Sequence, residues 1–320
     1  MRRGISLLEV LISIFILAIG LLGVAALLPV GAHEVGEANA VDRSAALARA
    51  SLHDIKVRSL AHPFLPSIRT GEAAVPMWDF AGTAPQFLWI DPLYAGKKGI
   101  AGLHGGFPHA GAPALTIPRA DIRTAPITNA PWMRVTPVAE LIFRGTDDLI
   151  LLDRTKAPQP EGQFSWAFML SYSRADEALP LCLRSRVGVS VVVFHRRQLD
   201  GERVVQVTGF SGTGMSGGDV AITLGSGEDT KLLRKNRWLL LLGPNGGYQG
   251  STVGAAAWYR VVAATEPDGS LDVRATLSGP DWDATVNPTA QVVLLDSVRA
   301  VHTETMNLNQ DILRTTQDHP

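Results

Sequence analysis

Glu9 is the residue of this 320-residue sequence whose chemistry is most at odds with its surroundings. It is a carboxylate inside the run Ile5 to Leu28, 24 residues that hold no other charge. An acid in hydrocarbon costs up to a few kcal/mol at mid-membrane and less near the interface, so it needs a partner. Arg2 and Arg3 lie seven and six residues earlier, too far along a helix to pair well, although they can snorkel. A cut between Gly4 and Ile5 changes this. The new α-amine then lies one helical turn from Glu9, and in an assembly the amine of one subunit can reach Glu9 of the next. Charge pairing would then favour packed subunits over lone ones.

Other residues are spaced for different chemistry. Gly214-Met215-Ser216-Gly217-Gly218 matches G-x-S-x-G, the pattern of a nucleophilic serine. Such an elbow needs a strand before the serine and a helix after it, but Val220 to Leu224 reads as a strand. A flexible loop is the expectation. The run also lacks the G-K-[ST] ending of a phosphate loop. His104 and His109 are five apart, off a common helix face, in a tract rich in glycine (Gly99, Gly102, Gly105, Gly106, Gly111), so no metal site is expected there. Asp281-Trp282-Asp283 follows Gly279-Pro280 and reads as a solvated turn rather than a calcium loop, with no carboxylate ladder of EF-hand spacing. Cys182 is the single cysteine, which excludes an intramolecular disulfide framework and a Cys-based zinc site. It reads as a small buried residue. The seven tryptophans read as core and edge fillers.

Glu9 must be positioned by the element that contains it. Ile5 to Leu28 makes roughly 36 Å of helix, enough to cross a hydrocarbon core of about 30 Å. Arg2 and Arg3 precede the run and Glu34 and Glu37 follow it, which places the start in the cytoplasm and the rest outside. Pro29 lacks an N–H and should kink or locally open the helix. The helical pattern then resumes. Ala38, Val41, Ala45, Ala48, Leu52 and Ile55 form one apolar stripe, opposite Glu37, Asp42, Arg43, Arg49, Asp54 and Lys56. Ala61-His62-Pro63 is the expected stop, giving roughly 85 Å of helix from Ile5 to Ala61.

Gly4-Ile5-Ser6-Leu7-Leu8-Glu9-Val10, followed by Leu11 to Leu28, resembles the prepilin motif of type IV pilins and type II secretion pseudopilins. Ile5 stands where phenylalanine is most usual and Ser6 where threonine is. Ile16 to Gly23 is most similar to the minor-pilin branch. The resemblance covers about the first 60 residues. It implies that Gly4 is the last leader residue, that Ile5 is the N-methylated first mature residue, and that Glu9 serves methylation and assembly. It further implies as partners a prepilin peptidase, other pilins or pseudopilins through the N-terminal helix, an inner-membrane assembly platform and membrane lipid. A signal peptide cut at Val30-Gly31-Ala32 competes, but its apolar core would be 7–15 residues and free of acid. A plain signal anchor explains the span but not Glu9. No cysteine lies near enough for a lipoprotein.

The rest of the chain reads as β-structure. Residues 63–160 are rich in proline and glycine, with short apolar pieces such as Phe87-Leu88-Trp89-Ile90. From 161 onward, Phe164 to Arg174 and Val187 to His195 are strand-like, and Asp200-Gly201 should turn the latter into Arg203 to Thr208 as a hairpin. Pro267-Asp268-Gly269 should join Trp258–Thr265 to Leu271–Leu277, a strand half-buried through Leu271, Val273, Ala275 and Leu277. Trp238 to Leu242 is too short for a second span. Gln291 to Leu295 and Val298 to Met306 supply the last strands.

The expected fold is α+β and pilin-like: a long N-terminal helix, transmembrane in its first half, carrying a mainly antiparallel β-domain. The expected divisions are a leader at 1–4, a membrane half-helix at 5–28, an amphipathic half at 29–62, a loop-rich region at 63–160 and the β-domain at 161–320. Twenty-nine basic against 30 acidic residues give a net charge of −1, which excludes a broad electrostatic nucleic-acid binder. Hydrophobic residues at 46% exclude a mainly disordered chain. A structural filament subunit in the inner membrane, with its β-domain outside, is the leading expectation: no enzyme, no cofactor, no metal. The alternatives are a membrane-tethered serine hydrolase using Ser216 with His195 or His302, and a filament-borne binding module.

Overall fold

The fold was read from a computed structural model, which describes residues 7–57, 60–61, 66–70, 73–76, 86–91, 107–108, 115–122, 163–172, 186–197, 202–211, 216–224, 231–244, 253–266 and 271–307. One long helix precedes a β-rich region. Helix α1 spans Leu7–Val57. Its run through Val10 to His33 has no Asp, Glu, Lys or Arg, and one continuous helix lets its backbone satisfy itself. Pro29 withholds one N–H, yet the helix passes through it without interruption. It ends four residues before the expected stop. The Leu60 amide returns to the Ile55 carbonyl at 2.9 Å, a six-to-one bond of the kind that closes helix C-termini.

The chain divides into two compact units, 1–43 and 44–320. In the second unit, Ser44, Ala48, Ser51, Leu52 and Ile55 are buried. The expected stripe is therefore buried from Ala48 onward, whereas Ala38 and Val41, in the first unit, are exposed. Small serines at positions 44 and 51 take the place of larger apolar residues on the buried face.

Thirteen strands are described. They are β1 (Pro66–Thr70), β2 (Ala73–Pro76), β3 (Phe87–Ile90), β4 (Arg119–Ile122), β5 (Phe164–Tyr172), β6 (Arg186–His195), β7 (Glu202–Ser211), β8 (Ser216–Thr223), β9 (Trp238–Gly243), β10 (Ala255–Ala264), β11 (Asp272–Asp281), β12 (Gln291–Leu295) and β13 (Val298–Asn307). Seven form a sheet in the order β13-β6-β5-β3-β4-β1-β2, antiparallel except for β3 beside β4. Six close into a barrel, β10-β11-β8-β7-β12-β9. The barrel is inserted between β6 and β13, which pair with each other across it in sequence. The hairpin expected at Asp200-Gly201 does not form. β6 pairs with β5 and β13, while β7 pairs with β8 and β12, because the chain leaves the sheet here to build a new layer.

The β5 and β6 sequences are nearly continuous apolar runs because both faces of the sheet are covered. On one face Trp89, Ala167, Met169, Val192 and Phe194 pack against Leu240, Leu242, Trp258, Val293 and Leu295 of the barrel exterior. On the other lie Leu88, Phe168, Leu170, Val189 and Val191, all buried. The Lys56–Glu304 ion pair, 4.0 Å, puts the end of α1 on that second face, since Glu304 pairs with Val189 in register. The barrel interior holds a separate core of Val205, Ile222, Leu239, Leu241, Tyr259, Val273, Ala275 and Leu277.

β10 and β11 pair antiparallel around the expected Pro267-Asp268-Gly269 turn, which itself lies outside the described residues. β11 alternates buried and exposed as its pattern requires. Its Gly279 lies under the Tyr259 ring, whose hydroxyl donates to the Pro280 carbonyl at 2.9 Å. Burial, and then the Asp281 carboxylate, push the Tyr259 phenol well up, so it stays a donor. A Cβ at residue 279 would come 2.5 Å from Tyr259 Cδ1 and 2.9 Å from the Trp258 carbonyl oxygen. Gly279→Ala should therefore cost about 1–3 kcal/mol, read as a lower denaturation midpoint with an unchanged denaturant slope.

Candidate functional site

The N-terminal part of α1 presents one continuous apolar surface. Every residue from Val10 to Gly36 is exposed, including Leu17, Leu21, Leu22, Leu27 and Leu28, and the helix is long and apolar enough to cross a membrane. Exposure of this many large aliphatics has no counterpart in an ordinary soluble surface and calls for lipid or for other helices. Glu9 lies in the first turns of α1. Gly4 and Ile5 lie outside the described residues. Along α1 the next acid after Glu9 is Glu34, so Glu9 has no charged neighbour within its own apolar stretch.

The other constellations come apart. Ser216 opens the barrel strand β8, in register with Asp281, so a strand follows it where a nucleophile elbow needs a helix. His195 and His302 belong to the seven-stranded sheet, on β6 and β13. The His195 Nε2 is 3.2 Å from Gln163 Oε1 and its ring packs 4.9 Å from Phe164. Asp283 Oδ1 accepts from the Thr285 hydroxyl (2.5 Å), the Thr285 amide (2.9 Å) and the Val286 amide (3.2 Å), an Asx turn. The Thr285 hydroxyl, then these amides, hold its carboxyl below the usual range. Trp282 beside it is buried. His104, His109 and Cys182 lie outside the described residues. Among the described residues no group of three His, Cys, Asp or Glu side chains could hold a metal.

A buried charge cluster is the feature that sequence reasoning missed. Asp91 follows β3, Arg119 opens β4, Arg197 follows β6 and Glu202 opens β7, so the four meet where the chain passes from sheet to barrel. Arg197 donates to both Asp91 oxygens, 3.0 Å to Oδ1 and 2.6 Å to Oδ2. Arg119 Nη2 donates to both Glu202 oxygens at 2.7 Å, and its Nη1 lies 3.4 Å from Asp91 Oδ2. The four side chains are between 1% and 9% exposed. Arg197 lies 4.0 Å over the Phe194 ring and Arg119 5.3 Å over Phe107. Burial alone would raise the Asp91 carboxyl. The Arg197 charge and hydrogen bonds, then the Arg119 charge and the Trp89 indole, outweigh it and hold the carboxyl below its ordinary value. Two acids against two guanidiniums leave the cluster neutral. Its composition is that of a structural network.

A family model for the prokaryotic N-terminal methylation motif matches residues 1–25. No curated protein matches the chain. The matched segment contains Gly4, Ile5 and Glu9 and runs into the exposed apolar part of α1, so the chain carries at its N-terminus the methylation motif of type IV pilin- and pseudopilin-like proteins.

Proposed function

We propose that this chain is a structural subunit of a pilus-like or secretion filament, of the minor-pilin kind. It is inserted in the inner membrane as a precursor with its β-domain outside. A prepilin peptidase cuts it between Gly4 and Ile5, Ile5 is methylated, and α1 then packs among the helices of neighbouring subunits. Pairing of Glu9 with a neighbour's α-amine favours that packing. The supporting observation is the motif at residues 1–25 overlapping a long helix whose residues from Val10 to Gly36 are all exposed. The size of the β-domain favours a minor or tip position, since a bulky head is hard to repeat along a whole fibre. The polymerising work belongs to the assembly machinery, and this chain supplies geometry and not turnover.

Intact-mass and N-terminal peptide mass spectrometry of the protein from its own host tests the reading. The expected mature chain starts at methylated Ile5. A chain starting at His33, or one still starting at Met1, would overturn it. In the same host, a bulky acidic residue in place of Gly4 should leave the precursor uncut and the Ile5 methyl group absent.

A further inference from the structure

Barrel and sheet meet through aliphatic and aromatic side chains: Leu240, Leu242, Trp258, Val293 and Leu295 against the Trp89–Phe194 face. Such contact is non-directional. Sliding or turning the barrel by one row exchanges one set of apolar neighbours for another. β6 and β13 join the barrel strands β7 and β12 at one end, where Glu202 and Leu295 are register partners. Two strands leaving one end make a hinge, so something directional must choose the orientation.

Among the described residues, side-chain hydrogen bonds cross the interface at two places, and Arg197 Nη2 lies 3.8 Å from Glu202 Oε1 as well. Arg119 of the sheet holds both oxygens of Glu202 of the barrel, and the Leu115 amide donates to Oε1 of the buried Gln291 on β12 at 3.1 Å. A buried ion pair adds little net stability, because desolvation offsets the attraction, but separating its members inside the protein is costly. Any other seating of the barrel parts Arg119 from Glu202 and leaves a buried charge facing hydrocarbon. The geometry points to Arg119 and Glu202 as a registry key, which selects one orientation of the barrel on the sheet without contributing to the stability of either layer.

The test uses the full chain in detergent micelles with Cys182→Ser as background. Spin labels are placed at Thr305→Cys on β13 and Val286→Cys on the barrel, both exposed positions. Their separation is measured by pulsed electron resonance. Arg119→Met with Glu202→Leu removes one charge of each sign and leaves the Asp91–Arg197 pair intact. The parent should give one narrow distance. The double variant should keep its melting temperature while the distribution widens about twofold or splits, as expected when a polar specificity device is replaced by apolar residues. A distribution as narrow as the parent's would overturn the assignment. Should the double variant fail to fold, Glu202→Gln decides, since it keeps the shape and loses the charge: broadening supports the key, and an unchanged distribution sinks it.

Discussion

Glu9→Ala is expected to leave the protein in the membrane at its normal level and to remove it from the filament. Alanine in an apolar helix is cheaper in lipid than a carboxylate, so insertion should not suffer. Assembly should, because the Ile5 amine of a neighbouring subunit would enter an apolar bundle without a counter-charge. Loss of one such pair at the edge of the hydrocarbon is worth roughly 1.5–3 kcal/mol, or about ten- to a hundredfold in the packed fraction. The measurement is the ratio of this protein in the sheared filament fraction to that in the membrane fraction. Equal ratios for parent and variant would separate Glu9 from assembly. Glu9→Gln, which keeps a hydrogen-bond acceptor, should fall between the two.

Asp91→Ala should be the most damaging substitution in the β-region. It leaves Arg119 and Arg197 buried with Glu202 as the remaining acid of the cluster, so one guanidinium charge is uncompensated. Breaking a buried pair in this way costs about 3–5 kcal/mol, or roughly 10 °C in melting temperature for a region of this size. The effect depends on pH with a definite sign. The folded Asp91 carboxyl titrates below its unfolded value, so its contribution is complete above the unfolded pKa of about 4 and fades as pH falls through the folded value. The gap between parent and variant should therefore be widest near neutrality and narrow below about pH 4. A gap that stayed constant from pH 7 to pH 3 would mean that lost packing, not lost charge pairing, explains the variant.

The parts of the fold with local causes could be read from the chain. The apolar run after Glu9 predicts α1 and the alternation through Leu271, Val273, Ala275 and Leu277 predicts β11, whereas Phe87-Leu88-Trp89-Ile90, read only as a short apolar piece of a Pro/Gly-rich stretch, is the buried strand β3. Barrel closure has no such cause. It depends on β12 pairing with both β7 and β9, contacts between segments about ninety and about fifty residues apart that no local pattern encodes. The charge cluster was hidden for the same reason. Asp91, Arg119, Arg197 and Glu202 each look like an ordinary surface residue until the sheet and the barrel bring them together. The turn at Asp200-Gly201 misled because its chemistry is that of a hairpin, while the second arm that β6 accepts is β13. The N-terminal methylation motif could be read because such a motif is recognised as a linear stretch, before any folding.

The insertion of the barrel between β6 and β13 gives the head a particular order of completion. The His195 amide donates to the Ser297 carbonyl at 2.8 Å, so the two ends of the inserted piece are neighbours in space. To the sheet, the whole barrel is a single long hairpin loop whose mouth is already closed. Loop-closure entropy grows slowly with length, so such a guest burdens its host little. As the chain emerges from the ribosome, β5 and β6 meet early, the barrel can complete itself from its own strands, and β13 arrives last to cover the open edge of β6. The sheet that receives the end of α1 through Lys56 and Glu304 is therefore finished only when β13 has been made, well after the membrane helix has left the ribosome.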